Sequence, residues 1–96
     1  MIKDVSRFIG QSEFYQKYGC KYHWQVGSTT VYPIQTWVDA REIEIQLDPN
    51  SCAQWHKRML KKLEKQIREK FGDIIEWAYI VRNDGSCPDE ARIKIK

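Results

Sequence analysis

The spacing of hydrophobic residues changes several times along the chain, and each change predicts a different element of secondary structure. Up to Gly19, apolar side chains recur near helical spacing, which predicts a short first helix that is interrupted at Gly10 and ended by a left-handed residue at Gly19. Next, β-branched and aromatic residues around a Gly-Ser pair predict a hairpin of residues 22–26 with a strand that begins near Thr29. Because Pro33 cannot donate to a strand ladder, its strand is expected at a sheet edge or at a bulge.

The second half of the chain predicts two strands around one long helix, followed by a final strand. Residues 41–47 alternate strictly between apolar and polar, as a half-buried strand does. Capping side chains up to Ser51 then precede apolar residues at intervals of three and four, which predicts an amphipathic helix over 52–71. Residues 74–81 are apolar on both alternating faces, which favours a central strand covered on both sides. Residues 92–96 alternate with basic residues outward, which favours an edge strand.

These elements predict a single small α+β domain over residues 1–96, with the order α-β-β-β-α-β-β. The lengths suit a right-handed β-α-β crossover, so strands 41–47 and 74–81 are expected to run parallel. Asn83-Asp84-Gly85 has the composition of a tight turn, after which the final strand adds antiparallel. The expected architecture is one mixed sheet packed on a long amphipathic basic helix.

Composition is that of a globular protein, since 42% of the residues are hydrophobic and 30% are charged. No apolar run approaches the roughly 18 residues that span a bilayer, and the N-terminus lacks the pattern of a secretory signal. Cys20, Cys52 and Cys87 are an odd number without a CxxC pair, so we expect three free thiols in a reducing compartment. A cytoplasmic location without membrane attachment is the resulting expectation.

The positive charge of the chain is concentrated in the long predicted helix. Seven cations and two carboxylates give segment 54–71 a charge of +5, so the remaining residues carry −2 of the total of +3. Helical spacing places six of these cations on the side opposite the apolar stripe. These six candidate binding residues, called the basic face below, are Lys57, Arg58, Lys61, Lys62, Lys65 and Arg68.

The basic face predicts contact with an anionic partner. Nucleic acid is the favoured partner, because each phosphate that a cation neutralises releases bound counterions. An acidic protein surface suits the same charges, and a solvated helix face without any partner is the third interpretation. We therefore predict a non-catalytic binding or regulatory module that contacts DNA or RNA through the basic face. The alternative is a protein interaction module, an inhibitor or adaptor, that uses the helix or an exposed strand edge.

Aromatic residues are frequent in the first β region, where Tyr22, Trp24, Tyr32 and Trp37 lie close together in sequence. Exposed aromatic rings on a sheet stack unpaired bases in single-strand binding proteins. Small domains also bury aromatic rings, and no RNA-recognition string accompanies these four, so packing in the core or in a dimer is favoured. We predict a homodimer that uses this aromatic region or an edge strand, near Pro33 or at the C-terminus.

The remaining polar motifs are weak signals for chemistry. Cys20 with His23, and Cys52 with His56, have spacings compatible with one shared zinc ion, but isolated cysteines and histidines are more often structural. Cys52 near a helix start, with His56 one turn later, resembles a thiol nucleophile with its base, but no oxyanion loop or orienting partner is identifiable. No phosphate-binding glycine loop or carboxylate pair stands out. We expect no catalysis, no metal and no cofactor.

Overall fold

Three helices, a small hairpin and a four-stranded sheet make up residues 1–83 and 88–96, the part of the chain that the structure, a computed structural model, describes. A 3₁₀ turn at Ala53–Trp55 leads directly into the longest helix. In chain order the elements are α1 (Ile2–Gly10), α2 (Glu13–Tyr18), β1 (Trp24–Val26), β2 (Thr29–Val31), β3 (Ile34–Trp37), β4 (Glu42–Gln46), α3 (His56–Phe71), β5 (Ile75–Val81) and β6 (Glu90–Ile95). The chain is therefore a small α+β domain, as predicted. Its element order differs from the predicted α-β-β-β-α-β-β, because two helices and four strands precede α3.

The break between α1 and α2 confirms the predicted interruption near Gly10, and Ser12 explains it. The Ser12 hydroxyl donates to the Ile9 carbonyl at 2.6 Å and accepts from the Tyr15 amide at 3.2 Å, so it ends one helix and caps the next. Gly19 follows α2 but is extended, with φ −77°, so the predicted left-handed residue is wrong. The position still favours glycine, because a Cβ atom there would collide with the Tyr15 ring.

The strands form two antiparallel sheets, so the predicted single mixed sheet is wrong. β1 and β2 pair only with each other, through the predicted two-residue turn at Gly27-Ser28, where Gly27 has φ +63°. The other four strands have the order β3-β4-β6-β5, and every neighbouring pair is antiparallel. β4 and β5 do run in the same direction, as the crossover through α3 requires, but β6 lies between them. The strand predicted from Thr29 through Pro33 is divided into β2 and β3, and β3, which begins directly after Pro33, lies at the sheet edge as predicted.

The central and edge positions of the last two strands are the reverse of the prediction. β6 is central, and its Ile93 side chain is 0% exposed. β5 lies at the edge, because the returning chain fills the space between β4 and β5. Its apolar residues occupy both faces for two different reasons. Ile75 packs in the core, whereas Trp77 and Tyr79 lie on the opposite face of the sheet, where Trp77 is half-buried and Tyr79 is exposed.

The hydrophobic core lies on the face of the sheet that α1, α2 and α3 cover. Its buried members are Val5, Ile9, Phe14, Ile43, Ile45, Leu47, Leu60, Leu63, Ile67, Ile75, Ala91, Ile93 and Ile95. Only one of these residues, Phe14, is aromatic. Tyr22, Tyr32 and Trp37 are about half exposed or more, so core packing, one of the two interpretations of the aromatic-rich region, is wrong for these residues.

The central position of β6 makes a testable prediction about stability. Replacing Ile93 with alanine leaves a cavity in the core, so we expect the free energy of unfolding to fall by about 2–5 kcal/mol. The matched substitution is Ile80→Ala on edge strand β5, where the side chain is only partly buried. It should lower the free energy of unfolding by less than Ile93→Ala does. Urea denaturation of both variants measures the difference. A larger loss for Ile80→Ala would contradict this strand order.

Candidate functional site

Helix α3 presents two chemically different sides because its apolar residues recur at intervals of three and four. Its buried side chains are His56, Leu60, Leu63 and Ile67. At about 100° per residue, the six cations of the basic face fall on the opposite side of the helix, and all six are exposed. The regular helix begins at His56, later than predicted, since Ala53–Trp55 form a 3₁₀ turn, and Gly72 ends it with φ +91°.

Two members of the basic face form ion pairs. Lys62 lies 3.7 Å from Glu13 of α2, and Arg68 lies 3.5 Å from Glu64 one turn earlier. Glu13 also pairs with Lys17 at 3.0 Å, and this hydrogen bond, with the charges of Lys17 and Lys62, lowers the pKa of the Glu13 carboxyl. The charge of Lys62 is therefore only partly neutralised, because Glu13 also pairs with Lys17.

The other four cations carry the free charge of this surface. Within residues 1–83 and 88–96, no carboxylate forms an ion pair with Lys57, Arg58, Lys61 or Lys65. The Arg58 guanidinium lies 5.6 Å from the ring centre of Trp55, a cation–π contact that leaves its charge in place. Repulsion between like charges at i and i+4 costs a few tenths of a kcal/mol per pair, so an anionic ligand would relieve it.

A groove between α3 and edge strand β5 borders the basic face. The groove encloses about 300 Å³. Lys57, Leu60, Lys61 and Glu64 line it from the helix, whereas Ala78 and Ile80 are among the residues that line it from the strand. The groove has no signal in the sequence, because nothing local in residues 74–81 indicates that the strand lies at an edge.

A polar network at the start of α3 holds His56, which is 2% exposed. Arg82 lies 3.0 Å from His56 Nδ1, and a guanidinium can only donate, so Nδ1 accepts. The proton is then on Nε2, which donates to the Ser51 hydroxyl at 2.6 Å, while that hydroxyl donates to the Asp48 carbonyl at 2.6 Å. Ser51 and His56 have the separation of a nucleophile and its base, but the proton order is the reverse of what activates a serine.

Arg82 joins this network to the end of the sheet. It donates to Asp89 at 2.8 Å and to the Ala53 carbonyl at 2.8 Å. The hydrogen bond from Arg82, followed by one from the Asn83 amide, lowers the pKa of the Asp89 carboxyl. The network therefore fixes the start of α3 against β5 and β6, although its members are far apart in sequence.

The structure does not bring together the four residues of the considered zinc set. Cys20 is buried and its thiol donates to the Tyr22 carbonyl at 3.4 Å, while the His23 ring lies 6.0 Å from the Tyr32 ring. Both nitrogens of His56 are engaged by Ser51 and Arg82, so His56 does not serve Cys52 as a base either. No group of three or more potential metal-ligating side chains occurs among the described residues.

Two of the predicted free thiols, Cys20 and Cys52, are confirmed as free. Cys87 lies outside the described residues, as do Asp84 and Gly85 of the predicted turn. In the described part of the chain, no helix has the length and the apolar character that crossing a bilayer requires. Comparison with protein-family models, with curated proteins and with solved structures found no match to this chain.

The environment of His56 predicts how stability depends on pH. Burial, and then the charge of Arg82, lower the pKa of His56 below its ordinary value of 6.5, so the unfolded chain binds the proton more readily. The free energy of unfolding should therefore fall as pH decreases below about 6.5 and stop falling below the folded-state pKa of His56. Urea denaturation across this pH range measures the effect.

The matched control for this prediction is the other histidine, His23, which is exposed. His56→Gln should flatten the pH profile above the range in which the carboxylates titrate, whatever it does to overall stability. His23→Gln should leave the slope unchanged. Equal slopes for the wild-type protein and His56→Gln would contradict the assignment.

Proposed function

We propose that this protein is a non-catalytic binding module that contacts the phosphate backbone of nucleic acid through the basic face of α3. The observation that carries the proposal is the set of four exposed cations, Lys57, Arg58, Lys61 and Lys65, that form no ion pair among the described residues. A solvated surface helix usually intersperses both signs of charge, whereas this face concentrates one sign.

The geometry of the helix suits a charged polymer. Lys57, Lys61 and Lys65 are spaced by four residues, which places successive Cα atoms about 6 Å apart along the helix axis. The row is therefore about 12 Å long, and duplex DNA carries about one phosphate charge per 1.7 Å of its axis. Several phosphates come within reach of this row at once, so the contact gains from the release of several counterions.

The charges on the face of the sheet opposite the helices, called the uncovered face below, also favour the helix as the contact. Its central row holds Glu44, which is half-buried, and Glu90, which is buried, and these carboxylates pair with Arg92 at 3.8 and 3.0 Å. Burial raises the pKa of the Glu44 carboxyl, and the charge of Glu90 acts in the same direction. Carboxylates on this surface repel phosphate, so base stacking on the sheet is less favourable than backbone contact through the helix.

A homodimer stays a prediction. The C-terminal strand is no longer a candidate edge, because β6 is paired on both sides. The predicted contact surfaces that stay are the edge strand β3 after Pro33 and the aromatic region around Trp24 and Trp37. A cytoplasmic location and a regulatory role likewise stay predictions.

Charge reversal on the basic face tests the proposed function. We expect the triple variant Lys57→Glu, Lys61→Glu and Lys65→Glu to lose binding to a fluorescent duplex or single-stranded oligonucleotide at about 50 mM salt, while it remains folded by circular dichroism. In wild-type protein, log K should fall linearly with log salt concentration. Removing one lysine with Lys61→Gln should reduce that slope by about 0.9 for a duplex or 0.7 for a single strand.

The matched control reverses three exposed cations elsewhere, Lys3, Arg7 and Lys96, and so changes the net charge equally. This control should retain most of the binding, because the local field of α3 is unchanged. Equal losses in the two triple variants would mean that net charge alone is responsible. Absence of wild-type binding at about 50 mM salt would contradict the proposal.

A further inference from the structure

The hydrogen-bond pattern of the sheet identifies which backbone groups of β5 face outward. The Ile95 amide donates to the Arg41 carbonyl at 2.8 Å, and the Leu47 amide donates to the Asp89 carbonyl at 2.8 Å. The backbone groups of Asp89 and Ile95 therefore point toward β4 and its flanking residues. Along an antiparallel strand, the backbone amide and carbonyl groups of successive residues point to opposite neighbours. The backbone groups of Arg92 in β6 therefore point toward β5, and those of its partner Tyr79 point toward β6. The amides and carbonyls of the neighbouring Ala78 and Ile80 therefore point away from the sheet.

These outward groups form a free strand edge. Among the described residues, no hydrogen bond reaches the backbone of Ala78 or Ile80 from the outer side of β5. The register shift between Ile75 and Trp77 limits the regular edge to residues 77–81. An edge of this kind is a template for another strand unless it is covered, bulged or charged.

The edge of β5 has the groove and its cationic side chains on one side, and aromatic rings on the other. Lys57 and Lys61 of α3 flank it on the helix side, where the side chains of an added strand opposite Ala78 and Ile80 would point. On the other face of the sheet, the rings of Trp77 and Tyr79 lie 4.9 Å apart. Side chains that alternate along an added strand would meet the lysines and the aromatic rings in turn.

We propose that the edge of β5 binds an acidic extended segment of a partner protein by strand addition. The segment pairs with the backbone of Ala78 and Ile80, directs carboxylates toward Lys57 and Lys61, and places apolar side chains against Tyr79. This site goes beyond the proposed contact with nucleic acid and does not depend on it, although the two share Lys57 and Lys61.

Charge favours a foreign acidic strand over a second copy of this chain. Antiparallel pairing of two β5 strands would bring Lys57 and Lys61 of both copies alongside one ladder, where like charges repel. The carboxylate in the groove, Glu64, is engaged by Arg68 at 3.5 Å, so the net charge on the helix wall is positive.

A synthetic peptide of alternating glutamate and valine, seven residues long like β5, tests the proposal by fluorescence anisotropy. It should bind, whereas the alternating lysine and valine peptide should not. Lys57→Gln with Lys61→Gln should weaken binding by about threefold to tenfold. The matched pair Arg58→Gln with Lys65→Gln, on the part of the basic face outside the groove, should leave the affinity unchanged. Glu64→Gln should strengthen it.

The backbone contact has its own measurement, which uses the wild-type protein. The amides of Ala78 and Ile80 should exchange with deuterium rapidly in the free protein and slowly with the acidic peptide, while Tyr79 is protected in both states. Ala78→Pro removes an outward donor without removing a ladder hydrogen bond, so it should weaken binding by about tenfold. The control Thr36→Pro makes the same change at an outward position on edge strand β3, and it should leave binding of the acidic peptide unchanged.

Three outcomes would overturn the proposal. If the two pairs of glutamine substitutions weaken peptide binding equally, the peptide is attracted to the positive charge of α3 in general and does not bind in the groove. Slowed exchange of Ala78 and Ile80 with a single-stranded oligonucleotide, but not with the peptide, would assign the edge to nucleic acid. A mass that rises with protein concentration in light scattering, and falls to that of the monomer in Ala78→Pro, would assign it to a second copy.

Discussion

Ile93 is fully buried at the centre of β6, and the strand that carries it is held by hydrogen bonds to β4 on one side and to β5 on the other. This insertion of β6 between two strands that run in the same direction is the constraint on which the other placements depend. It makes the pairings of β6 with β4 and with β5 antiparallel and moves β5 to the edge. It also sets the isoleucines of β4 and β6 side by side in the core beneath the helices, where burial of each such side chain contributes about 1.5–3 kcal/mol.

The helices cover only one face of this sheet, and that asymmetry determines which charges are available to a partner. Leu60, Leu63 and Ile67 hold α3 against the sheet, so its opposite side is directed to solvent. Carboxylates in the neighbourhood reach only Lys62 and Arg68 within the described residues. Lys57, Arg58, Lys61 and Lys65 form no ion pair in that part of the chain, so their charges stay available to an anionic partner. On the uncovered face, by contrast, Arg92 lies beside two carboxylates.

Local sequence patterns predicted an element correctly where the periodicity of its apolar residues fits only one arrangement of buried and exposed faces. The strict alternation in β4, the turn at Gly27-Ser28 and the two-sided character of α3 were all predicted correctly from the sequence. The order of β5 and β6 was not, because aromatic residues on an uncovered sheet face have the same apolar pattern as residues covered by a helix. Trp77 and Tyr79 produced that error. The network of Ser51, His56, Arg82 and Asp89 had no local signal, since only tertiary packing joins residues so distant in sequence.

We propose that nucleic acid binds to the basic face of α3. Titration of the ¹⁵N-labelled protein with a short oligonucleotide, followed by two-dimensional NMR, tests it residue by residue. If the basic face is the contact, the largest chemical-shift changes should fall on residues 57–68, while Glu44 and Arg92 on the uncovered sheet face should change little. Changes concentrated on that sheet face or on the β1–β2 hairpin, with α3 unaffected, would contradict it.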